Sequence, residues 1–205
     1  AWLGRIPAKG LSIAVMCNAA SANAGGFAYQ IARLYLGLSK PEPPVPPNNV
    51  TPGLYRGAHD HSTLKVEYTN GKFTFDGYPV EAKVRFEDDK MFASNPVYGE
   101  EIFDRVEPWT PANLSAFAGV YSSDEAETVL TVVVEDGKLA IHRHPNSSLP
   151  LEPTYADAFK CSLGGVRFLR DATGKIVALI LSGPRVWDLR FVRERSSGAE
   201  ALRPW

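Results

Sequence analysis

The sequence contains one stretch that decides its fold class: Val129-Leu-Thr-Val-Val-Val-Glu-Asp-Gly-Lys-Leu-Ala-Ile-His-Arg-His144. Both halves are rich in apolar and β-branched residues, which favour strands. Between them stands Asp136-Gly137, a dipeptide typical of the two-residue turn of a β-hairpin. The stretch therefore predicts two antiparallel strands, Val129–Glu135 and Lys138–His144, joined by that turn.

The same pattern continues on both sides of this hairpin. Short apolar runs alternate with turn residues such as Gly164-Gly165 and Gly183-Pro184, which is typical of an antiparallel meander. The predicted strands cover residues 119–122, 129–135, 138–144, 148–155, 158–163, 166–170, 176–181 and 186–193. About eight such strands can close an up-and-down barrel and remove its edges. We therefore predict a mainly β protein with a barrel over residues 115–195 and a tail over 196–205.

A smaller β meander is predicted before the barrel, over residues 51–114. Leu64–Tyr68 alternates in hydrophobicity, Asn70-Gly71 provides a hairpin turn, and Lys72–Phe75 returns. Val80–Phe86 is predicted as a further strand. The stretch 98–114 contains two prolines and is predicted to be irregular.

The first forty residues differ from the rest in their periodicity. Leu11–Cys17 is a continuous apolar run that predicts a buried strand, and apolar residues at helical spacing predict an amphipathic helix over 24–38. Five prolines between Lys40 and Asn49 predict an extended linker over 41–50. A strand and helix of this length cannot form a core alone, so we expect residues 1–40 to pack on another surface.

A faint internal repeat links the two β segments. Gly53-Leu-Tyr-Arg56 and Gly119-Val-Tyr-Ser122 are each followed by a strand and then by an Asn-Gly-Lys or Asp-Gly-Lys turn. Either the segments arose by duplication, or two hairpins share the same turn chemistry.

Composition argues against several partners. The 22 Lys and Arg residues nearly balance the 23 Asp and Glu residues, so the chain has no basic footprint for nucleic acid or an anionic membrane surface. The longest apolar run is too short to span a bilayer, and no signal peptide precedes it. We expect a soluble chain, with Cys17 and Cys161 as small core residues rather than a disulfide.

Several motifs resemble the C-terminal part of the serine β-lactamase-like hydrolases, the superfamily of class C enzymes and penicillin-binding proteins. Arg5–Asn18 and the following helix resemble the last strand and helix of the catalytic domain. Ala118–Glu125, Asp136–Leu139, Leu151–Pro153 and Arg185–Phe191 resemble the lipocalin-like barrel appended to many such enzymes. The resemblance implies bacterial origin, a periplasmic or secreted location, and a catalytic serine-hydrolase domain as partner.

The catalytic machinery of that superfamily consists of a serine in Ser-x-x-Lys, a Tyr-x-Asn or Ser-x-Asn element, and Lys-Thr-Gly or His-x-Gly on a strand. We expect this chain to lack Ser-x-x-Lys and Tyr-x-Asn, and no catalytic position is carried over. Gly-x-Ser-x-Gly is also absent. The leading hypothesis is therefore a non-catalytic, lipocalin-like accessory domain.

Two further hypotheses remain open. One is an independent hydrolase acting on an ester, lactone or glycoside at the barrel mouth, for which paired carboxylates are general acid and base candidates. Those candidates are Glu100, Glu101, Asp104, Asp124 and Glu125. The other is a binder of a small apolar ligand, because an eight-stranded barrel can hold one. The aromatic candidates for such a site are Tyr121, Tyr155, Phe159, Phe168 and Trp187.

All four histidines form His-x-His pairs, His59/His61 and His142/His144. Side chains at i and i+2 of a strand share a face, so a pair could ligate zinc. Solvated surface histidines explain the same pattern, and we expect no cofactor. We also expect that the apolar face of the helix 24–38 covers the β part or mediates self-association, because an exposed patch of that size promotes association.

Overall fold

The computed structural model describes residues 1–19, 22–38, 45–80, 82–95, 99–143, 147–183 and 186–194. The chain forms two compact units, Ala1–Pro43 and Pro44–Trp205. The division falls inside the proline-rich stretch 41–50. Strands dominate the described residues, as the sequence predicts, and a single α-helix lies in the first unit.

The first unit is a β-hairpin covered by a helix. Strands β1 (Trp2–Ile6) and β2 (Leu11–Val15) pair antiparallel. Helix α1 (Ala24–Tyr35) begins after Asn23, whose side-chain oxygen accepts a hydrogen bond of 2.8 Å from the backbone N–H of Gly26. No helix in the described part of the chain has the length and hydrophobicity needed to cross a bilayer.

Helix α1 packs through its small residues. Ala24, Ala28 and Ala32 lie one turn apart and are buried, and the last two form a small core with Ile13. The large apolar residues predicted to make the interface are exposed: Phe27, Ile31, Leu34, Tyr35 and Leu38. The alanine stripe lets the helix approach the hairpin closely and leaves this larger face uncovered. Its role in self-association stays a prediction.

The second unit begins with a seven-stranded antiparallel sheet. Its strands are β3 (Gly53–Gly57), β4 (Thr63–Thr69), β5 (Lys72–Phe75), β6 (Tyr78–Pro79), β7 (Lys83–Glu87), β8 (Lys90–Asn95) and β9 (Gly99–Val106). They are arranged in the order β6-β5-β4-β3-β9-β8-β7. The prediction that 98–114 is irregular is wrong for its first half. Pro108 and Pro111 follow β9 and end it rather than interrupt it.

Eight strands then form a closed antiparallel barrel, which confirms the predicted fold class. They are β10 (Gly119–Ser123), β11 (Thr128–Glu135), β12 (Lys138–Arg143), β13 (Ser147–Pro153), β14 (Ala158–Cys161), β15 (Gly164–Arg170), β16 (Ile176–Gly183) and β17 (Val186–Arg193). Each strand pairs with the next, and β10 also pairs with β17 to close the ring. The barrel is the up-and-down type seen in lipocalins.

One predicted turn is misplaced by two residues. Gly164 and Gly165 lie inside β15, and the turn that precedes them consists of Ser162 and Leu163. A Cβ atom at Gly164 would lie 2.1 Å from the backbone oxygen of Ser182, and its φ is +134°. This glycine is therefore explained by the close approach of β16 and not by a turn.

Side chains fill the interior of the barrel. A buried cluster of aromatic and aliphatic residues includes Phe117, Tyr121, Phe159, Phe168 and Phe191. Phe117 and Phe168 meet edge to face with ring centroids 5.0 Å apart, and Phe159 contacts both rings. Edge-to-face pairs contribute beyond their buried area because the ring edge is positive and the face negative.

The seven-stranded sheet and the barrel share the same arrangement around a tyrosine of their first strand. This similarity favours duplication over shared turn chemistry. In each, a tyrosine of the first strand donates its hydroxyl to the carbonyl four residues earlier: Tyr55 to Thr51 at 2.9 Å, and Tyr121 to Phe117 at 2.7 Å. In each, the same tyrosine stands opposite an arginine of the last strand. The sheets differ because the first leaves β6 and β7 as edges.

The buried hydroxyl of Tyr121 gives a test of this arrangement. Burial raises the pKa of Tyr121 to about 12, so the group is a neutral donor at all ordinary pH values. In Tyr121→Phe the carbonyl of Phe117 loses its partner, and we expect the free energy of unfolding to fall by about 1–3 kcal/mol. Urea denaturation of Tyr68→Phe, at an exposed position, is the control and should change by less than about 0.5 kcal/mol. Equal losses in both variants would contradict the assignment.

Candidate functional site

The short loop that joins β3 to β4 of the seven-stranded sheet contacts the barrel. We call residues 57–62 the bridging loop. Within it, the N–H of Gly57 donates to the oxygen of Ser62 at 2.9 Å, and the N–H of Ser62 donates to Asp60 Oδ1 at 3.0 Å. A Cβ atom at Gly57 would lie 2.1 Å from that carboxylate oxygen. The sequence Gly-x-x-Asp-x-Ser therefore makes this tight loop possible.

Three side-chain contacts hold the bridging loop on the barrel. The hydroxyl of Tyr155 donates to the backbone oxygen of His61 at 3.3 Å. The rings of His59 and Trp187 meet edge to face with centroids 4.5 Å apart. The guanidinium of Arg56, just before the loop, lies 5.6 Å from the centroid of the Tyr155 ring. These contacts enclose space between the loop and the barrel wall.

One part of that space is a cavity of about 400 Å³, here named the junction cavity. The bridging loop and β4 supply one side of it, and β14 to β17 with the residues before β14 supply the other. Its polar lining includes Asp60, His61, Ser62, Thr154, Lys160, Arg167 and Ser182, and its apolar lining includes Tyr155, Phe159, Val166, Ile180 and Trp187. A cavity of this size and mixed character suits a small organic molecule.

A second space of about 510 Å³ lies on the other side of the bridging loop, and we name it the acidic cavity. It is lined by the loop, by Glu100 to Phe103 of β9 and by Trp187. The two cavities share Asp60, Ser62 and Trp187. The acidic cavity carries two glutamates, whereas the junction cavity carries an arginine and a lysine.

Two residues of the junction cavity hold buried polar atoms without a hydrogen-bond partner in the described part of the chain, namely His61 Nδ1 and Thr154 Oγ1. His61 also has a φ of +56°, which is uncommon for a residue other than glycine. Orphaned buried polar atoms are rare in folded proteins and each needs an explanation. A ligand or an ordered water in the cavity would provide the missing partners.

The charge state of His61 follows from its surroundings. Burial lowers the pKa of the imidazole, and the nearby positive charges of Arg167 and Arg56 lower it further. The carboxylates of Asp188 and Asp60 oppose this shift with smaller effects. His61 is therefore neutral at neutral pH and can both donate and accept hydrogen bonds.

The predicted aromatic candidates fall into two groups. Tyr155 and Trp187 line the junction cavity. Phe159 borders the cavity, but its ring packs against Phe117 and Phe168 in the barrel interior. Tyr121 and Phe168 lie in the packed interior of the barrel and are almost completely buried. The space for a ligand is thus beside the barrel wall rather than in the barrel centre.

The histidines are distributed over two places. His59 and His61 lie in the bridging loop, whereas His142 on β12 places its Nε2 2.8 Å from Glu135 Oε1. His144 lies outside the described residues. Within the described ranges, no group of three or more His, Cys, Asp or Glu side chains is placed to hold a metal ion. Zinc binding stays a prediction.

The predicted acid and base candidates lie in separate places. Glu100 and Glu101 both line the acidic cavity, where Glu100 pairs with Arg85 at 3.1 Å, and Asp124 and Glu125 lie in the turn after β10. Asp104 accepts hydrogen bonds from Lys90 and Arg56, and the bond from Lys90 contributes most to lowering its pKa. A general acid needs the opposite shift, and the contacts with Lys90 and Arg56 make Asp104 an ion-pair partner.

The expectation that Ser-x-x-Lys and Tyr-x-Asn are absent is wrong, because the sequence contains a match to each. Ser62-Thr-Leu-Lys65 matches Ser-x-x-Lys, and Tyr68-Thr-Asn70 matches Tyr-x-Asn. Ser62, however, lies in the bridging loop, whereas Lys65 lies on β4, so the two residues are not on one helical turn as in a Ser-x-x-Lys site. Lys65 Nζ is 2.6 Å from Glu67, and Asn70 forms the hairpin turn with a φ of +52°. The matches are not assembled into a catalytic set.

A third match is explained in the same way. Ser21-Ala-Asn23 fits Ser-x-Asn, and the side chain of Asn23 caps helix α1. Ser21 lies outside the described residues.

Sequence reasoning missed the residues that give the junction cavity its charge. Arg167 and Lys160 alternate with core residues on β15 and β14, so they have the pattern of ordinary outward-facing strand residues. Thr154 and Asp60 also carry no motif. Only the Asp-x-Ser spacing of the bridging loop is a readable signal, because it predicts a local turn.

Comparison with protein-family models and with curated proteins gives no match to this sequence.

The lowered pKa of His61 predicts a pH effect on stability. Because the folded state binds fewer protons at His61 than the unfolded chain, the free energy of unfolding falls as the pH drops below about 6.5. In His61→Asn this loss is absent, and asparagine tolerates the positive φ. We expect wild type to lose stability relative to His61→Asn between pH 7.5 and pH 5.5, measured by urea denaturation. A constant difference between the two proteins across that range would contradict the assignment.

Proposed function

We propose that the second unit is a non-catalytic, lipocalin-like accessory module that binds a small molecule in the junction cavity. The observation that carries the proposal is the cavity itself, which combines an apolar wall with the unpartnered atoms His61 Nδ1 and Thr154 Oγ1. Polar groups that are buried and unpaired cost stability unless something binds them. A binding site explains why they are retained.

The groups around the cavity favour binding over catalysis. The hydroxyl of Ser182 donates to Asp188 Oδ1 at 3.2 Å, and the backbone N–H of Asp188 donates back to that hydroxyl at 3.2 Å. A serine nucleophile needs a general base such as histidine within hydrogen-bond distance. Both hydrogen bonds instead fix the start of β17, which gives Ser182 a structural role.

The wider role rests on the resemblance to serine β-lactamase-like hydrolases. In this proposal the module belongs to such an enzyme or derives from one, and it influences which molecules reach a catalytic domain. The uncovered apolar face of α1, with Phe27, Ile31 and Leu34, supports docking of the first unit on a catalytic domain or on a second copy of the chain.

Filling the junction cavity tests the binding site. Gly165 lines it, and a Cβ atom there meets only one atom at 3.9 Å, so a larger side chain fits without displacing the backbone. We expect at least one of phenylacetate, hexanoate, benzyl alcohol and benzylamine to change the tryptophan fluorescence of wild type with saturation. Gly165→Leu should abolish the change, whereas the matched variant Gly165→Ala should keep it. A saturable signal that is unaltered in Gly165→Leu would place the site elsewhere.

The absence of catalysis is tested with p-nitrophenyl acetate. We expect the wild-type chain, Ser62→Ala and Ser182→Ala to show the same slow release of p-nitrophenol, because neither serine has an activating base. The measurement is the initial rate at several protein concentrations. Turnover by wild type that disappears in either variant would show that the module is a hydrolase.

A further inference from the structure

We propose that the ligand of the junction cavity is a small organic carboxylate, whose anionic group binds Arg167 and whose apolar part contacts the wall formed by Tyr155, Ile180 and Trp187. This inference rests on the proposed function, because it names the chemical class of the ligand that the cavity takes.

Arg167 has no close carboxylate partner among the described residues. Within the described residues, its ion-pair partner is Asp188 at 3.6 Å, which is beyond the range of about 2.7–2.9 Å typical of charge-assisted hydrogen bonds. Arg170 on the same strand shows the contrast, because it binds both oxygens of Asp157 at 2.8 and 2.7 Å. One arginine of β15 has a matched carboxylate, and the other presents its guanidinium to the cavity.

The position of Asp188 explains this distance. Its Oδ1 atom already accepts a hydrogen bond from Ser182, and its φ of +47° fixes the backbone at the start of β17. It therefore cannot approach Arg167 as Asp157 approaches Arg170 without breaking that arrangement. A carboxylate supplied by a ligand can satisfy the planar, two-pronged geometry that guanidinium prefers.

The local charge also favours an anion in the junction cavity. Lys160 also lines the junction cavity, with its Nζ 3.4 Å from Glu152 Oε2, whereas Asp60 is the acidic residue of the lining and uses Oδ1 to hold the bridging loop. His61 is neutral and adds hydrogen-bonding capacity without charge. The acidic cavity across the loop carries Glu100 and Glu101, which repel an anion from that side. The junction cavity therefore favours an anion more than the acidic cavity does.

Ile180 stands opposite Arg167 in the pairing of β15 with β16, so both side chains lie on the same face of the barrel wall. The rings of Tyr155 and the exposed Trp187 complete the apolar lining. A volume of about 400 Å³ lies at the small end of the range for ligand pockets. The ligand therefore combines one carboxylate with a compact apolar body.

Cys161 offers a direct readout, because it is a free, half-buried thiol that lines the junction cavity. The chain has two cysteines, and Cys17→Ser leaves Cys161 as the single one. In this full-length background, the rate of alkylation by the uncharged reagent N-ethylmaleimide is measured with increasing phenylacetate or hexanoate. Phenylacetamide and hexanamide, which have the same shape without the charge, are compared at the same concentrations, and sulfate serves as an anion without an apolar body.

We expect both carboxylates to slow the alkylation of Cys161 with saturation, and the amides to bind at least about ten-fold more weakly. Arg167→Gln should weaken carboxylate binding by about ten-fold or more. Arg190→Gln is the matched control, because Arg190 is an exposed arginine of β17 that does not line the cavity, and it should leave binding unchanged. Circular dichroism of both variants checks that they are folded.

The other outcomes are distinguishable. Equal protection by amides and carboxylates, or protection unaffected by Arg167→Gln, would overturn the carboxylate inference and leave the binding function standing. Protection by sulfate as strong as that by phenylacetate would overturn the apolar part of the inference. Failure of all four organic compounds to protect Cys161 or to alter tryptophan fluorescence would count against both the inference and the proposed function.

Discussion

Closure of the barrel between its first and last strands is the constraint on which the rest of the second unit depends. Arg193 of β17 donates to the backbone oxygens of Ala116, Ala118 and Ile176, and its guanidinium lies beside Gly119. One side chain thereby ties together the segment before β10, the closing strand and the start of β16. The curved wall that results is the surface on which the bridging loop rests.

The regular parts of the fold were readable from the sequence. Alternating apolar residues and Gly-containing turns place all eight barrel strands within a few residues of their observed bounds, because one buried face and a tight turn fix the register. The strand β9 was missed, since only Phe103 marks its buried face and two prolines follow it closely. Propensity there indicates a loop, and pairing with β3 and β8 overrides it.

The candidate site was less predictable for a physical reason. His61, Tyr155, Phe159 and Trp187 could be named from their chemistry, but their convergence depends on contacts between residues about 94 positions apart, such as the bond from Tyr155 to His61. Arg167 has the sequence pattern of any solvated strand residue. Arg167 differs from such residues in its 3.6 Å distance to the neighbouring carboxylate of Asp188. The periodicity of the sequence does not predict that distance.

The seven-stranded sheet and the barrel of the second unit differ in whether their edge strands are paired. Every strand of the closed barrel is paired on both sides. In the seven-stranded sheet, β6 and β7 each have one unpaired edge, and β6 has only two residues, one of them a proline. We therefore expect backbone amides of the sheet to exchange with solvent through smaller local openings than those of the barrel. The bridging loop joins two strands of this sheet, so the junction cavity has one wall in the open sheet and the other in the closed barrel.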